Sequence, residues 1–259
     1  MVRLPAACLL LLGFIIPNAR AELPGKWQSR APMPSARTEV AAVEVGGKIF
    51  VIGGYDKSGQ LVEEYDPTKD NWRARAALPK PLHHVGAAVV NGKIYVIGGY
   101  ISGVGPVDTV YEYDLSADRW TVKKVMPTPR GALASGVIGG KIFAVGGVTA
   151  TGRNTAANEA YDPAADRWEA RAPMPTARSG IAAVAVGDRV YVFGGEAPSG
   201  TFGENEAYDP AANTWAAHAR MPTPRHGLGA AVVGNRIFVI SGGPRPGNTS
   251  SAANEIFAP

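Results

Sequence analysis

The stretch KIFVIGGY at 48–55 decides the fold, because it recurs five times along the chain. The other copies are KIYVIGGY at 93–100, KIFAVGGV at 141–148, RVYVFGGE at 189–196 and RIFVISGGP at 236–244. β-Branched and aromatic residues followed by glycines predict a β-strand that ends in a tight turn. A unit repeated at a nearly constant period indicates a repeat architecture.

Other residues follow the same period. Tryptophan occurs only at 27, 72, 120, 168 and 215, and a Met-Pro or Leu-Pro pair follows each one. A run of small apolar residues precedes each copy of the KIF strand, and a Tyr-Asp pair precedes the last four tryptophans. Each unit therefore predicts four strands, with the tryptophan in the outermost strand. Glycine and proline interrupt the chain too often for helices.

A four-stranded unit with this period is typical of a β-propeller. The Gly-Gly pairs, the tyrosine of Tyr-Asp-Pro, the tryptophan that follows it and the Met-Pro-x-x-Arg element resemble the kelch-repeat family. The predicted fold is all-β: a five-bladed kelch β-propeller with four-stranded antiparallel blades. The repeats cover 34–72, 79–120, 127–168, 175–215 and 222–259, and residues 27–33 complete the last one.

The chain begins with an outer-strand tryptophan and ends after a third strand. The N-terminal outer strand is therefore predicted to close the last blade, so that no open edge remains. The alternative is an incomplete ring that associates with a second copy. Two departures stand out: Leu82 replaces the arginine of repeat 2, and Ser241 looks like an insertion before the last glycine pair.

Residues 1–21 are predicted to be a cleaved signal peptide, and residues 22–259 the propeller. Arg3 precedes a short apolar stretch at 6–16, and Ala19-Arg20-Ala21 fits a cleavage site. The stretch is too short for a stable membrane span. A secreted or periplasmic protein is expected. Cys8 is the only cysteine and is lost with the signal, which excludes disulfides and thiolate chemistry.

The charge balance argues against nucleic acid as a partner. The chain has 26 Lys and Arg against 22 Asp and Glu, and no basic run occurs. No P-loop, nucleophile elbow or metalloprotease motif is present in the sequence. No cofactor and no metal are therefore expected.

An arginine recurs at the same position in four repeats: Arg37, Arg130, Arg178 and Arg225. A glutamate recurs two residues before the Tyr position in the same repeats: Glu63, Glu159, Glu206 and Glu255. Repeat 2 lacks both, with Leu82 and Tyr111 in their places. This joint loss predicts structural Arg–Glu pairs. Ligand binding by the arginine ring, to a carboxylate or another anion, is the alternative.

Residues that break the repeat pattern are the better functional candidates. Glu39 and His84 are candidate catalytic residues, as an acid–base pair near one mouth of the channel. His83 and His226 are candidate ligand-binding residues there, although packed or solvated histidines are the alternative. Adjacent His83 and His84 are predicted to point to opposite faces of a strand.

Three residues that follow glycine pairs, Tyr55, Tyr100 and Glu196, are predicted to form a binding rim. Exposed aromatic rings at such positions suit stacking against a sugar or a peptide side chain.

Two functions remain open. The resemblance implies a non-catalytic, monomeric binding module whose loops take a protein, peptide or carbohydrate ligand. It also implies an alternative, a carbohydrate-active enzyme similar to the sialic-acid (N-acetylneuraminate) epimerases. In such an enzyme Arg130, Arg178 and Arg225 would bind the sugar carboxylate, and Glu39 and His84 would move protons. Galactose-oxidase chemistry is excluded, because its cysteine-modified tyrosine cannot form once Cys8 is lost.

Overall fold

The computed structural model describes residues 29–55 and 59–259, and Ala31–Pro259 forms one compact unit. Five antiparallel sheets make up this unit, with short two-residue ladders in the loops between strands. Over the described ranges the chain has no helix of the length and hydropathy needed to cross a membrane. The predicted signal peptide lies outside the described residues.

The strands of each blade follow one another from the channel outward. Blade 1 comprises Ala41–Val45, Lys48–Ile52, Val62–Asp66 and Asn71–Ala74. Blade 2 comprises Gly86–Val90, Lys93–Ile97, Val110–Asp114 and Arg119–Val122. Blade 3 comprises Ala134–Ile138, Lys141–Val145, Asn158–Asp162 and Arg167–Ala170. Blade 4 comprises Ala182–Val186, Arg189–Phe193, Asn205–Asp209 and Thr214–Ala217. Blade 5 comprises Gly229–Val233, Arg236–Ile240 and Asn254–Phe257.

This architecture confirms the predicted five-bladed kelch β-propeller. Each strand pairs antiparallel with the next strand of its blade, so every blade is a meander. Blade 5 has three strands within the described residues. The strand predicted to complete it contains Trp27, which lies outside them.

Each described tryptophan fastens its blade to the preceding segment. Trp120 Nε1 donates a hydrogen bond of 2.8 Å to the carbonyl of Ala76, and the Ala76 amide donates to Asp118 at 3.0 Å. Ala31 makes the same two bonds with Trp72 and Asp70, at 2.8 and 2.9 Å. Ala76 follows the outer strand of blade 1. Ala31 therefore makes the two contacts with blade 1 that Ala76 makes with blade 2.

Apolar clusters join blades 1 to 5 in sequence. Between blades 1 and 2, for example, Phe50 and Ile52 pack against Ile94 and Tyr113. Similar clusters lie between blades 2 and 3, 3 and 4, and 4 and 5. Burial of such side chains contributes about 1.5–3 kcal/mol each. These four interfaces carry most of the hydrophobic stabilisation of the described unit.

One face of blade 5 packs against blade 4, and its opposite face, which we call the outward face of blade 5, is not covered by such a cluster. Ile240 is 42% exposed and Val233 is 65% exposed. The residues equivalent to Ile240 in blades 1 to 4 are at most 1% exposed: Ile52, Ile97, Val145 and Phe193. On the facing side of blade 1, Ile49 is 37% exposed, whereas its equivalents are fully buried: Ile94, Ile142, Val190 and Ile237. Among the described residues, no apolar cluster joins blade 5 to blade 1.

The main-chain hydrogen bonds around the channel also distinguish the junction of blade 5 with blade 1 from the other four. They link consecutive blades: His84 N to Glu39 O, Ala132 N to His84 O, Gly180 N to Ala132 O and Gly227 N to Gly180 O, at 2.8–3.2 Å. Within the described ranges no such bond joins Glu39 N to Gly227 O. Blades 1 to 5 therefore form a continuous series, and the junction of blade 5 with blade 1 differs from the other four.

A matched pair of substitutions tests this difference. Ile97→Ala is expected to lower the free energy of unfolding by about 2–5 kcal/mol, because it leaves a cavity in a closed interface. Ile240→Ala, at the equivalent exposed position, is expected to cost less than about 1 kcal/mol. Urea denaturation of both variants measures the two costs. Equal costs would mean that the outward face of blade 5 is covered in solution, by a second copy or by residues outside the described ranges.

Ser241 is not an insertion, contrary to the sequence prediction. Ile240 is aligned with Ile52, so Ser241 takes the place of Gly53, and their φ angles are 61° and 62°. Because the Ser241 side chain is exposed, a Cβ fits there without a clash. Gly243 consequently stands where Tyr55 stands in blade 1. Blade 5 therefore presents a bare main chain where blades 1 and 2 present a tyrosine.

Candidate functional site

Short bridges bring the predicted residues together at one mouth of the channel. In each of four blades, a residue before the inner strand pairs with the residue after the glycine pair: Thr38 with Tyr55, His83 with Tyr100, Ser179 with Glu196 and His226 with Gly243. This pairing places loop side chains beside the inner strands. It explains why residues 17 positions apart in sequence share one surface.

A cavity of about 360 Å³ opens at this mouth. Six of the predicted site residues line it: Glu39, His83, His84, Tyr100, Glu196 and His226. We call it the Glu–His pocket. Cavities of about 310 and 340 Å³ lie at blade surfaces and are lined by exposed or structural ion pairs, Glu169–Arg171 and Glu64–Arg73. The Glu–His pocket is the cavity into which residues that break the repeat pattern converge.

A chain of polar contacts crosses one side of the pocket. Ser102 Oγ lies 3.4 Å from His83 Nε2, the Nδ1 atoms of His83 and His84 are 2.6 Å apart, and His84 Nε2 is 3.1 Å from Glu39 Oε2. One assignment satisfies all three contacts: Ser102 donates to His83, His83 donates to His84, and the N–H at His84 Nε2 faces the Glu39 carboxylate. Both imidazoles are neutral in this arrangement. Burial, and then the neighbouring His84, lowers the pKa of His83, which agrees with a neutral ring.

The prediction that His83 and His84 point to opposite faces is wrong. Successive side chains alternate between the two faces only where the backbone is extended, and His84 has a φ of 55°. This left-handed residue turns its ring toward His83, and both side chains line the pocket.

A second Glu–His pair lies on another side of the pocket. His226 Nε2 is 3.6 Å from Glu196 Oε2, and His226 Nδ1 is 3.1 Å from the carbonyl of Gly243. The amide of Gly247 donates to Glu196 Oε2 at 3.1 Å. The loop that carries Gly247 therefore fixes the carboxylate of Glu196 at the pocket wall.

The channel ring holds non-glycine residues in left-handed backbone. Glu39, His84 and Ala132 have φ of 55°, 55° and 53°, at the positions that Gly180 and Gly227 occupy in blades 4 and 5. Such a conformation costs an L-residue roughly 1–2 kcal/mol. Two of these three residues, Glu39 and His84, contribute a carboxylate and an imidazole to the pocket. Strain of this kind is frequent at functional sites.

The two tyrosines of the predicted rim lie next to His83. The Tyr100 ring stacks on His83 with centroids 5.6 Å apart, and it covers Gly131, where a Cβ would lie 2.1 Å from the ring. Burial raises the pKa of Tyr100, so the phenol is neutral. Tyr55 is more than half exposed, and its ring centroid is 4.5 Å from that of His83. Tyr100 thus belongs to the pocket wall, and Tyr55 to the rim outside it.

The four arginines are enclosed within the blades and do not line the pocket. Their side chains have no exposed area, and each pairs with the predicted glutamate: Arg37 with Glu63, Arg130 with Glu159, Arg178 with Glu206 and Arg225 with Glu255. The same guanidinium groups donate to carbonyls of the second strands: Val51, Ala144, Val192 and Val239. Burial lowers the pKa of Arg130 and Arg178, and the paired glutamates oppose that shift. This arrangement is the one that the structural interpretation predicts.

Some residues at the pocket were not predicted from the sequence. Ser179 shares its repeat position with His83 and His226, so its register could have indicated it. Asn248, which lines the pocket, and Ser102, which contacts His83, lie on loops of unequal length, so their positions cannot be found by aligning the repeats. Within the described ranges, no group of three or more His, Cys, Asp or Glu side chains is placed to hold a metal ion.

The fold and the repeat motifs define the class of protein, a kelch-type β-propeller. A family model, the Attractin/LZTR1 β-propeller, matches residues 24–245, and the chain belongs to this family. No curated protein sequence matched the chain. Among solved structures, that of YjhT is similar, with a TM-score of 0.80 and 17% sequence identity. The match covers 90% of this chain and 85% of that chain, and it shows a shared fold.

Proposed function

We propose that this protein is a non-catalytic binding module that holds a peptide, protein or glycan ligand in the Glu–His pocket. One observation carries the proposal. Glu39 and His84 occupy left-handed positions that blades 4 and 5 give to glycine, and both side chains line an open cavity. The left-handed turn recurs in every blade, and only in blades 1 and 2 does it carry a titratable side chain into the cavity, which is the arrangement expected of a functional site.

The shape of the site supports binding. The blades provide a rigid frame, and the loops after the glycine pairs provide the walls, which is the usual division between scaffold and binding surface. Tyr55 and Tyr100 offer aromatic faces beside polar groups. Aromatic faces flanked by carboxylates and imidazoles suit a sugar ring or a peptide side chain.

An epimerase of the sialic-acid type is the second candidate. The 3.1 Å contact between Glu39 and His84 favours it, because such a pair can transfer a proton. An acidic sugar also needs a cationic partner for its carboxylate. The described residues that line the pocket include no arginine or lysine. This charge distribution favours the binding module over the enzyme.

Export to the periplasm or the cell exterior is part of the proposal. It rests on the signal-like pattern of residues 1–21. The propeller used in the experiments below therefore starts at residue 22.

A thermal-shift screen tests the proposed function. The panel contains neutral oligosaccharides, acidic sugars, basic and proline-rich peptides and divalent metal ions. A ligand at a hundredfold its Kd stabilises the folded protein by about 2.7 kcal/mol. For a domain of this size we expect a rise in Tm of about 5–11 °C.

Substitutions in the pocket decide where a responding ligand binds. Glu39→Gln and Tyr100→Ala are expected to abolish the shift, because they remove a carboxylate and an aromatic wall. Glu169→Gln, on the outer strand of blade 3, is the control and is expected to leave the shift unchanged. A ligand whose shift survives both pocket substitutions would contradict the proposed site. Turnover of an acidic sugar would favour the enzyme.

A further inference from the structure

The tautomer of His226 is set by its main-chain partner. His226 Nδ1 faces the carbonyl of Gly243 at 3.1 Å, and a carbonyl only accepts hydrogen bonds. Nδ1 therefore carries the proton in the neutral ring. Nε2 is then a lone-pair acceptor, and it faces a second acceptor, Glu196 Oε2, at 3.6 Å. Two acceptors directed at each other call for a donor that satisfies both.

The opposite side of the pocket also presents an acceptor. The chain of polar contacts from Ser102 through the two histidines ends on Glu39, whose carboxylate is half-exposed. With neutral histidines, the pocket wall carries the negative charges of Glu39 and Glu196. The described residues of the wall contribute no lysine or arginine. A cationic ligand group therefore fits the field of this pocket.

We infer that the ligand of the Glu–His pocket carries a protonated amine, as in an amino sugar, and that the amine binds between Glu196 and His226. This inference rests on the proposed function and specifies the ligand class. An ammonium group has three N–H donors and no acceptor, so it can donate to Glu196 Oε2 and to His226 Nε2 at the same time. Hydrogen bonds between charged partners are about twice as strong as neutral ones.

The rest of the pocket suits the sugar ring of such a ligand. Tyr100 offers an aromatic wall, and Glu39 offers acceptor oxygens for hydroxyl groups. Ser179 adds a hydroxyl and Asn248 an amide, which can each donate and accept. A cavity of about 360 Å³ is in the range of small-ligand sites.

Calorimetric titration with three sugars of the same ring size tests the inference: glucosamine, N-acetylglucosamine and glucose, at neutral pH. Glucosamine is expected to bind at least about tenfold more tightly than the other two, because only its amine is charged. Putrescine, a diamine without a sugar ring, is expected to compete with glucosamine. Glu196→Gln keeps the size of the side chain and is expected to remove the preference for glucosamine. Glu169→Gln is the matched control and should retain it.

Equal affinity for glucosamine and N-acetylglucosamine would overturn the inference and leave the proposed function standing. Tight binding of an acidic sugar, or of neutral sugars alone, would do the same. If neither the amines nor any member of the thermal-shift panel binds, both the inference and the proposed function fail. If Glu196→Gln does not fold, a preference for glucosamine that persists in His226→Asn would also overturn the inference.

Discussion

Replacement of Arg178 by leucine is expected to lower the Tm of the propeller by about 10 °C. Arg178 is fully buried and pairs with the buried Glu206, and it also donates to the carbonyls of Gly194 and Val192. Removal of one partner from a buried pair leaves an uncompensated charge and costs about 3–5 kcal/mol. In a domain of this size, 1 kcal/mol corresponds to about 2–4 °C. Circular dichroism during a thermal ramp measures the change.

Blade 2 shows which second substitution should compensate for the loss of Arg178. Blade 2 has Leu82 and Tyr111 in the places of the arginine and the glutamate, and both are buried. The double variant Arg178→Leu with Glu206→Tyr reproduces that pair in blade 4 and is expected to recover most of the lost stability. Arg167→Leu, at an exposed position, is the control and should change the Tm little. If Arg178→Leu alone is as stable as the wild type, the Arg178–Glu206 pair does not stabilise the blade.

A substitution at Gly98 is expected to have an effect of similar size. Gly98 has a φ of 60°, and a Cβ there would lie 2.5 Å from the carbonyl oxygen of Arg130 in the next blade. The left-handed backbone alone costs alanine about 1–2 kcal/mol, and the clash adds about 1–3 kcal/mol. Gly98→Ala is therefore expected to lose about 2–5 kcal/mol of stability, as measured by urea denaturation.

Gly139 provides a matched control for Gly98. Its φ is 58°, and a Cβ there would meet no atom within 4 Å. Gly139→Ala is expected to cost only the backbone term, about 1–2 kcal/mol. The difference between the two variants isolates the contact between neighbouring blades. If the two costs are equal, the glycine pairs reflect turn conformation alone and not close approach of the next blade.

Much of the fold was predictable from local pattern. The strand-and-glycine repeat, the tryptophan spacing and the joint loss of the Arg–Glu pair in repeat 2 are properties of sequence register, and each maps onto a contact in the structure. The burial of Arg130, Arg178 and Arg225 beside glutamates follows the same register. Register is reliable here because every blade repeats the same pairing between strands and the same packing between blades.

The candidate site was predictable only in part. The residues that break the repeat pattern do meet at the channel mouth, because the repeat places them at equivalent positions. The directions of their side chains were not predictable. His84 turns toward His83 because its backbone is left-handed, and a strand model cannot show that.

The sequence by itself determined the class of fold, the number of blades and the residues that stand out from the repeat. Each of these depends on local periodicity, which a single chain displays directly. Only the tertiary structure decided which carboxylate faces which imidazole, the tautomer of His226 and the exposure of the outward face of blade 5. The first two depend on contacts between residues 45 and 17 positions apart, and the third depends on how blade 5 meets its neighbours. Chain folding sets their distances, and no local pattern records them.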